Sequence, residues 1–412
     1  MTMSFENNLE KYAELSVRVG LNIQPGQTLW INAPIHAPQL VRFISKKAYE
    51  AGAKHVHIEW QDEICTRIKY LHAPDDAFQE YPSWRAHALN ELAEHHGAYL
   101  LIESTDPELL KDADTKRIAD FSKVAGPALE KWRESMSSYK MTWSIIAAPS
   151  PAWALKVFPH LEETAAISAL WDAIFQATRV DQVNPVQTWS QHNALLRSKR
   201  ELLNEKQYSK IHYLAPGTEL SVKLPDNHVW RGGAATNESG GFDFNPNIPT
   251  EEVFISPHRE GTQGTVCSTK PLSYQGNLIN NFTLRFENGR VVDYSAEQGY
   301  NALKTMIEMD EGAKYLGEIA LVPHCSPISN ANLIFFNTLF DENASNHLAL
   351  GRSFPFCVQG GTSMTKDELA GVGLNHSLIH VDFMIGSADM DIDGERSDGS
   401  LEPIFRKGNW AL

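Results

Sequence analysis

The hydrophobic period of this chain changes part-way along. In the first half, stretches with an apolar residue every three or four positions alternate with short apolar runs. Residues 5–19 are amphipathic, with Leu9, Tyr12, Ala13 and Leu15 near one face. Pro25-Gly26 marks a turn, and residues 28–32 (TLWIN) read as a strand. Residues 38–53 read as a helix through Leu40, Val41, Ile44, Ala48 and Tyr49, with Gly52 near its end. Residues 55–60 form the next strand pattern, and residues 98–103 follow another helix that ends near Gly97. This alternation is that of βαβ units, which build a mostly parallel sheet covered by helices.

A polar helix over roughly 188–208 closes that half by its periodicity. Short β-type segments with Gly, Asn and Pro turns follow from 211 to 293. Residues 282–292 form a hairpin whose Asn288-Gly289 pair suits a type I′ turn. The expected fold class is α/β in two domains. An N-terminal α/β layered domain spans 1–208, and a C-terminal α+β domain over 209–412 carries the chemistry.

With 412 residues, the chain is long enough for two such cores. Its net charge of −15 argues against nucleic acid, which needs basic clusters. No apolar run approaches the ~18 residues of a membrane span. The first residues carry no positive segment or apolar core, so no signal peptide is expected. Cys65, Cys267, Cys325 and Cys357 are scattered without a CxxC pair, the pattern of reduced thiols in a cytoplasmic protein.

Four stations in the second half concentrate acids and histidines. His380-Val381-Asp382 lies in a strand-like run, where residues i and i+2 share a face. The imidazole and carboxylate therefore point together, as metal ligands or as a satisfied buried pair. Asp341-Glu342 precedes His347 across turn residues Asn343 and Ser345, either a converging pair or a helix cap before a surface histidine. Glu318 lies at the mouth of an apolar strand, as a ligand or an edge residue. Glu251 and Glu252 enter a strand, where alternation sends them to opposite faces; the alternative is a solvated acidic loop.

Together these residues offer carboxylates and imidazoles, a donor set suited to divalent Zn, Mn or Co. They exceed what one hydrolytic ion needs, so two ions sharing a carboxylate are the economical reading. Other motifs carry less. Residues 389–394 resemble the start of an EF-hand loop, but its twelfth position would be Ser400 and not Glu. His55 and His57 share a strand face without partnered acids. Gly360-Gly361 lacks the P-loop lysine, and residues 232–241 read as a surface loop, with a substrate-lining loop as the alternative.

The ordered set Pro249-Thr250-Glu251-Glu252-Val253-Phe254, Glu318, Asp341 through Gly351, and His380-Val381-Asp382 resembles the M29 metallopeptidases. The resemblance implies metal ligands at Glu252, Glu318, His347, His380 and Asp382, with Glu342 a further candidate and Glu318 bridging. It implies two divalent ions per chain (Zn, Co, Mn or Mg), peptide substrates with a free N-terminus, and a homodimer. Glu251 is the candidate proton shuttle. The family usually places a tyrosine where this chain has Phe354, in Gly351-Arg352-Ser353-Phe354-Pro355. Phe354 keeps the ring and loses a hydroxyl donor; Arg352 and His376 are the nearby substitutes.

The expected function is a metal-dependent aminopeptidase with a dinuclear site. Two alternatives stand beside it. His347, His380 and Asp382 could form the facial triad of a mononuclear non-haem Fe(II) ring-cleaving dioxygenase of related fold. Loss of the tyrosine hydroxyl could instead leave a weakened, peptide-binding homologue.

Overall fold

The computed structural model describes residues 5–104, 106–274 and 277–412. The chain forms two compact units, one of residues 1–191 with 234–249, the other of 192–233 with 250–412. Residues 234–249, expected within the C-terminal half, thus belong to the first unit. They include a small ribbon, Ala235–Thr236 paired with Asp243–Phe244, where a surface loop was expected.

In the first unit, strands β1 (Thr28–Pro34), β2 (His55–Gln61), β3 (Ala98–Glu103) and β4 (Thr142–Ala147) form a parallel sheet in the order β2-β1-β3-β4. Helices Phe5–Leu15 and Pro38–Glu50 carry the apolar stripes read from the sequence, and Ser83–Glu94 is the helix expected before Gly97. The first is shorter than expected, because residues Ser16–Gly20 widen into a π-helical turn. The strand β1 buries Leu29, Ile31 and Ala33 completely on one face and Trp30 on the other, as a parallel strand covered on both faces must. His57 packs its ring against Trp30 at 4.0 Å, which makes it a structural residue.

The second unit holds two antiparallel sheets. The larger, nine-stranded sheet includes the hairpin Asn277–Glu287 and Arg290–Gln298. Its turn residues Asn288 and Gly289 both have positive φ, 49° and 81°, as a type I′ turn requires.

The smaller sheet has five strands, in the order His380–Met384, His347–Gly351, Leu316–Leu321, Val253–Ile255, Arg231–Gly232. All of its neighbours are antiparallel. One face carries Val253, Ile255, Ile319, Leu321, Leu348, Leu350 and Phe383, every one buried. Each such side chain contributes roughly 1.5–3 kcal/mol relative to exposure, so this face fixes the register. The opposite face presents Phe254, Glu318, Ala320, His347, Ala349, His380 and Asp382.

Candidate metal centre

Simple alternation would place Leu316 and Glu318 on one face. They lie on opposite faces, because the register shifts between them. Leu316 pairs with Leu350 and Glu318 pairs with Ala349, leaving Gly317 as the extra residue of a β-bulge. A Cβ on Gly317 would sit 2.4 Å from the Arg352 carbonyl oxygen and 2.5 Å from that of Gly351. Only glycine permits this approach, and the approach turns Glu318 out of the core.

On the face so formed, small residues separate the large polar ones. Ala349 lies between Glu318 and Asp382, and Ala320 lies between Phe254 and His347. Their methyl groups leave room above the sheet for the longer side chains to converge.

Two clusters of possible ligand atoms result, Glu252 with Glu318 and His347, and Glu318 with His380 and Asp382. In each, the candidate atoms lie within 4.8 Å of one another. His347 Nε2 is 3.2 Å from Glu252 Oε2 and 3.8 Å from Glu318 Oε1. His380 Nε2 is 3.1 Å from Glu318 Oε2 and 3.5 Å from Asp382 Oδ1. Glu318 thus offers a different oxygen to each imidazole.

Both imidazoles are oriented through their other nitrogen. His380 Nδ1 lies 2.7 Å from the Arg352 carbonyl oxygen, and His347 Nδ1 lies 3.3 Å from that of Ser345. A carbonyl only accepts, so each Nδ1 carries the proton and donates. That leaves Nε2 facing the carboxylates as the atom each ring would offer a metal ion, the arrangement of metal-ligating histidines.

The electrostatics suit cations. Burial alone would lower both histidines, but the adjoining carboxylates outweigh it and hold His347 and His380 well above the usual imidazole range. Burial pushes Glu252 up, opposed by its contact with His347. Asp382 moves the other way: burial would raise it, and the His380 imidazole overrides that. Glu342 is raised well above the carboxylate range, first by burial and then by the charges of Asp382 and Glu252. Four carboxyl groups (Glu252, Glu318, Glu342 and Asp382) in one another's field beside two imidazoles form a donor set that suits divalent cations.

The expected site residues fall into three groups. Glu252, Glu318, His347, His380 and Asp382 are brought together. Glu342 lies beside them electrostatically without joining either cluster, its Oε1 3.4 Å from Asn343 Nδ2. Glu251 is in neither cluster; its Oε2 lies 3.6 Å from His192 Nε2. The solvated-loop reading of this pair does not hold, since Glu251 and Glu252 are only 3% and 8% exposed.

Phe354 stands at the edge of the centre. Its ring lies 4.8 Å from the His380 imidazole and stacks on Phe356 at 5.1 Å. Arg352 serves through its carbonyl, and His376 is exposed.

Several contributors escaped the sequence reading. Asn343, wholly buried, accepts the Glu251 N–H through Oδ1 at 2.7 Å and donates from Nδ2 to the Leu339 carbonyl at 3.0 Å. It ties the segment bearing Glu252 to the loop before His347. His192, far away in sequence, gave no signal. Gly317 did give one, since a glycine inside a strand pattern suggests a bulge.

Comparison with known proteins decides the family. A family model described as thermophilic metalloprotease (M29) matches residues 5–410. The chain belongs to the M29 metallopeptidase family. It is therefore an enzyme, a peptide-bond hydrolase. It is 57% identical over 408 residues to "Aminopeptidase 2" of Geobacillus stearothermophilus, covering 99% of this chain and 98% of the relative. It is 53% identical over 409 residues to "Aminopeptidase AmpS" of Bacillus subtilis, covering 99% and 100%. A solved structure titled "Wild-type AmpT from Thermus thermophilus" superposes with a TM-score of 0.93 at 39% identity, covering 99% of this chain and 100% of that one. The mixed α/β fold of this M29 member is thus shared with a solved relative. These peptidase relatives lend no support to the Fe(II) dioxygenase alternative. Among the described residues, no helix is long and apolar enough to cross a membrane.

Proposed function

We propose that this protein is a metal-dependent aminopeptidase with a dinuclear site in its C-terminal domain. The observation that carries the reading is Glu318, whose two oxygens face two different imidazoles. Glu252, Glu318 and His347 would hold one divalent ion, and Glu318, His380 and Asp382 the other. When bound, such ions supply an acidified water and polarise the scissile carbonyl.

The chain's own residues do the rest. The Arg352 and Ser345 carbonyls orient His380 and His347 so that Nε2 would be the ligand atom of each. The carboxylate-rich surroundings complement a free α-ammonium group, which confines cleavage to N-termini. Glu251 is engaged with His192, so we assign the proton shuttle to Glu342 instead. Beside bound cations its carboxyl would ionise, take a proton from the attacking water and deliver it to the leaving amine nitrogen. The family resemblance extends this reading to a cytoplasmic homodimer.

The test is metal analysis together with a panel of aminoacyl amides and short peptides, after reconstitution with Zn, Mn, Co or Mg. Two ions per chain and stepwise release of N-terminal residues are expected. One ion per chain, or binding of peptides without turnover, overturns the reading.

A further inference from the structure

Glu252 and Phe254 are two positions apart where the chain enters its strand, and they share the face that carries the candidate ligands. Phe254 pairs with Ala320, whose other neighbour is His347. Unlike the core-facing Val253 and Ile255, it is only partly buried. Its ring meets Phe354 edge-on at 5.8 Å and Phe356 edge-on at 6.2 Å. Phe354 stacks on Phe356 at an interplanar angle of 11° and continues to the His380 imidazole. An aromatic shelf therefore runs from the His380 imidazole through Phe354 and Phe356 to Phe254, with Phe254 and Phe354 both retaining accessible surface.

A cation backs this shelf. Arg231 pairs directly with Phe254 in the sheet. Its Nε donates to the Phe356 carbonyl at 2.8 Å, and its guanidinium lies 5.9 Å from the Phe356 ring centre. The guanidinium is thus fixed beside the rings rather than free to swing away. Apolar rings next to the catalytic ligands offer a side chain a place to leave water. A positive charge alongside opposes a second positive charge there.

We infer that Phe254, with Phe354 and Phe356, forms the subsite for the side chain of the substrate's N-terminal residue, and that it selects aromatic and large aliphatic residues over lysine and arginine. The inference rests on the aminopeptidase reading above and specifies its substrate class. Phe254 is the specificity-determining residue, because it holds none of the ligand positions and presents a partly exposed ring at the end of the shelf away from His380.

The test compares the holoenzyme with its Phe254→Ala and Phe254→Leu variants on the amides of phenylalanine, leucine, alanine and lysine. Hydrophobic subsites discriminate by roughly 10–200-fold. The wild type should therefore favour phenylalanine and leucine over lysine by at least tenfold in kcat/KM. In Phe254→Ala, the preference for phenylalanine over alanine should fall by about tenfold or more, mainly through KM, with Phe254→Leu intermediate. Calorimetric binding of phenethylamine should weaken in the same order while metal content stays at the wild-type level. A uniform loss across all four amides, unchanged ratios, or a wild-type preference for lysine overturns the inference. If no amide is hydrolysed by the wild type, the aminopeptidase reading fails instead. In that case phenethylamine binding that is insensitive to Phe254→Ala overturns the shelf as well.

Discussion

The Arg352 carbonyl oxygen accepts the Nδ1–H of His380 at 2.7 Å, and the same oxygen marks where a side chain on Gly317 would collide. One backbone atom thus orients a histidine and depends on a glycine of the adjacent strand. The bulge at Gly317 is also what turns Glu318 toward both imidazoles. Gly317→Ala should therefore act on both clusters at once. Overpacking of this kind costs about 1–3 kcal/mol. The melting temperature should fall and both metal affinities should weaken together, as read by thermal denaturation and metal titration. Unaltered binding of one ion would contradict the shared role.

Glu318→Gln separates charge from shape. The amide keeps the side chain's volume but cannot supply two anionic oxygens. Losing even an outer partner of a ligand typically costs roughly 10–100-fold in metal affinity or activity. Loss of Glu318 should cost at least that, with metal content below two ions per chain. Full activity and full metal content in the purified variant would sink the dinuclear site.

Much of this arrangement was legible in the sequence because it follows simple periods. The parallel sheet of the first unit appears as alternating helical and strand patterns. His380 and Asp382 share a face because nothing interrupts the strand between them. The rule fails where a residue is inserted: Leu316 and Glu318 obey alternation in sequence and break it in space. Partnerships between distant segments were equally hidden. No local pattern joins His192 to Glu251, or Asn343 to the backbone of Glu251. The passage of 234–249 into the first unit depends on tertiary contacts that composition does not encode.

Asn343 offers a test of such a hidden tie. Its side chain satisfies the Glu251 N–H and the Leu339 carbonyl inside the protein. Asn343→Ala leaves both groups buried and unpaired, at about 1–3 kcal/mol for each unsatisfied group. The variant should melt lower and bind metal more weakly through displacement of Glu252. Asn343→Asp keeps the acceptor and should retain more metal affinity than the alanine variant. Equal losses in the two variants would remove Asn343 from the support of the site.

Stability in acid should report on Glu402. Arg396, Lys206 and Tyr208 all donate to this carboxylate and lower it from the ordinary 4.5 to about 2. A depressed carboxylate contributes stability that is complete above its unfolded value and is lost as pH falls through its folded value. The melting-temperature gap between wild type and Glu402→Gln should therefore be constant from neutrality down to the ordinary value of 4.5 and close as pH approaches about 2. Because the side chain is partly exposed, the gap should be modest and shrink in high salt. Melting curves in chelator, with metal binding removed from both proteins, measure it. A gap that widens in acid would reverse the sign.

Phe354 provides the most direct test of catalytic vigour. Its ring lies within 4.8 Å of the His380 imidazole, so a hydroxyl on it would enter the same neighbourhood. Donors directed at a developing oxyanion are worth roughly 10²–10³ in rate. If the missing hydroxyl limits turnover, Phe354→Tyr should raise kcat by a substantial part of that factor. KM should change little, because such a donor acts on the transition state more than on the bound substrate. If the phenylalanine instead serves the aromatic shelf, the tyrosine variant should leave kcat unchanged and raise KM for phenylalanine amide, since a polar group then intrudes on an apolar surface. Measuring both constants on alanine and phenylalanine amides separates the two effects. A rise in kcat on both substrates identifies the hydroxyl as the lost catalytic group, and a KM change confined to phenylalanine amide identifies Phe354 as part of the side-chain subsite.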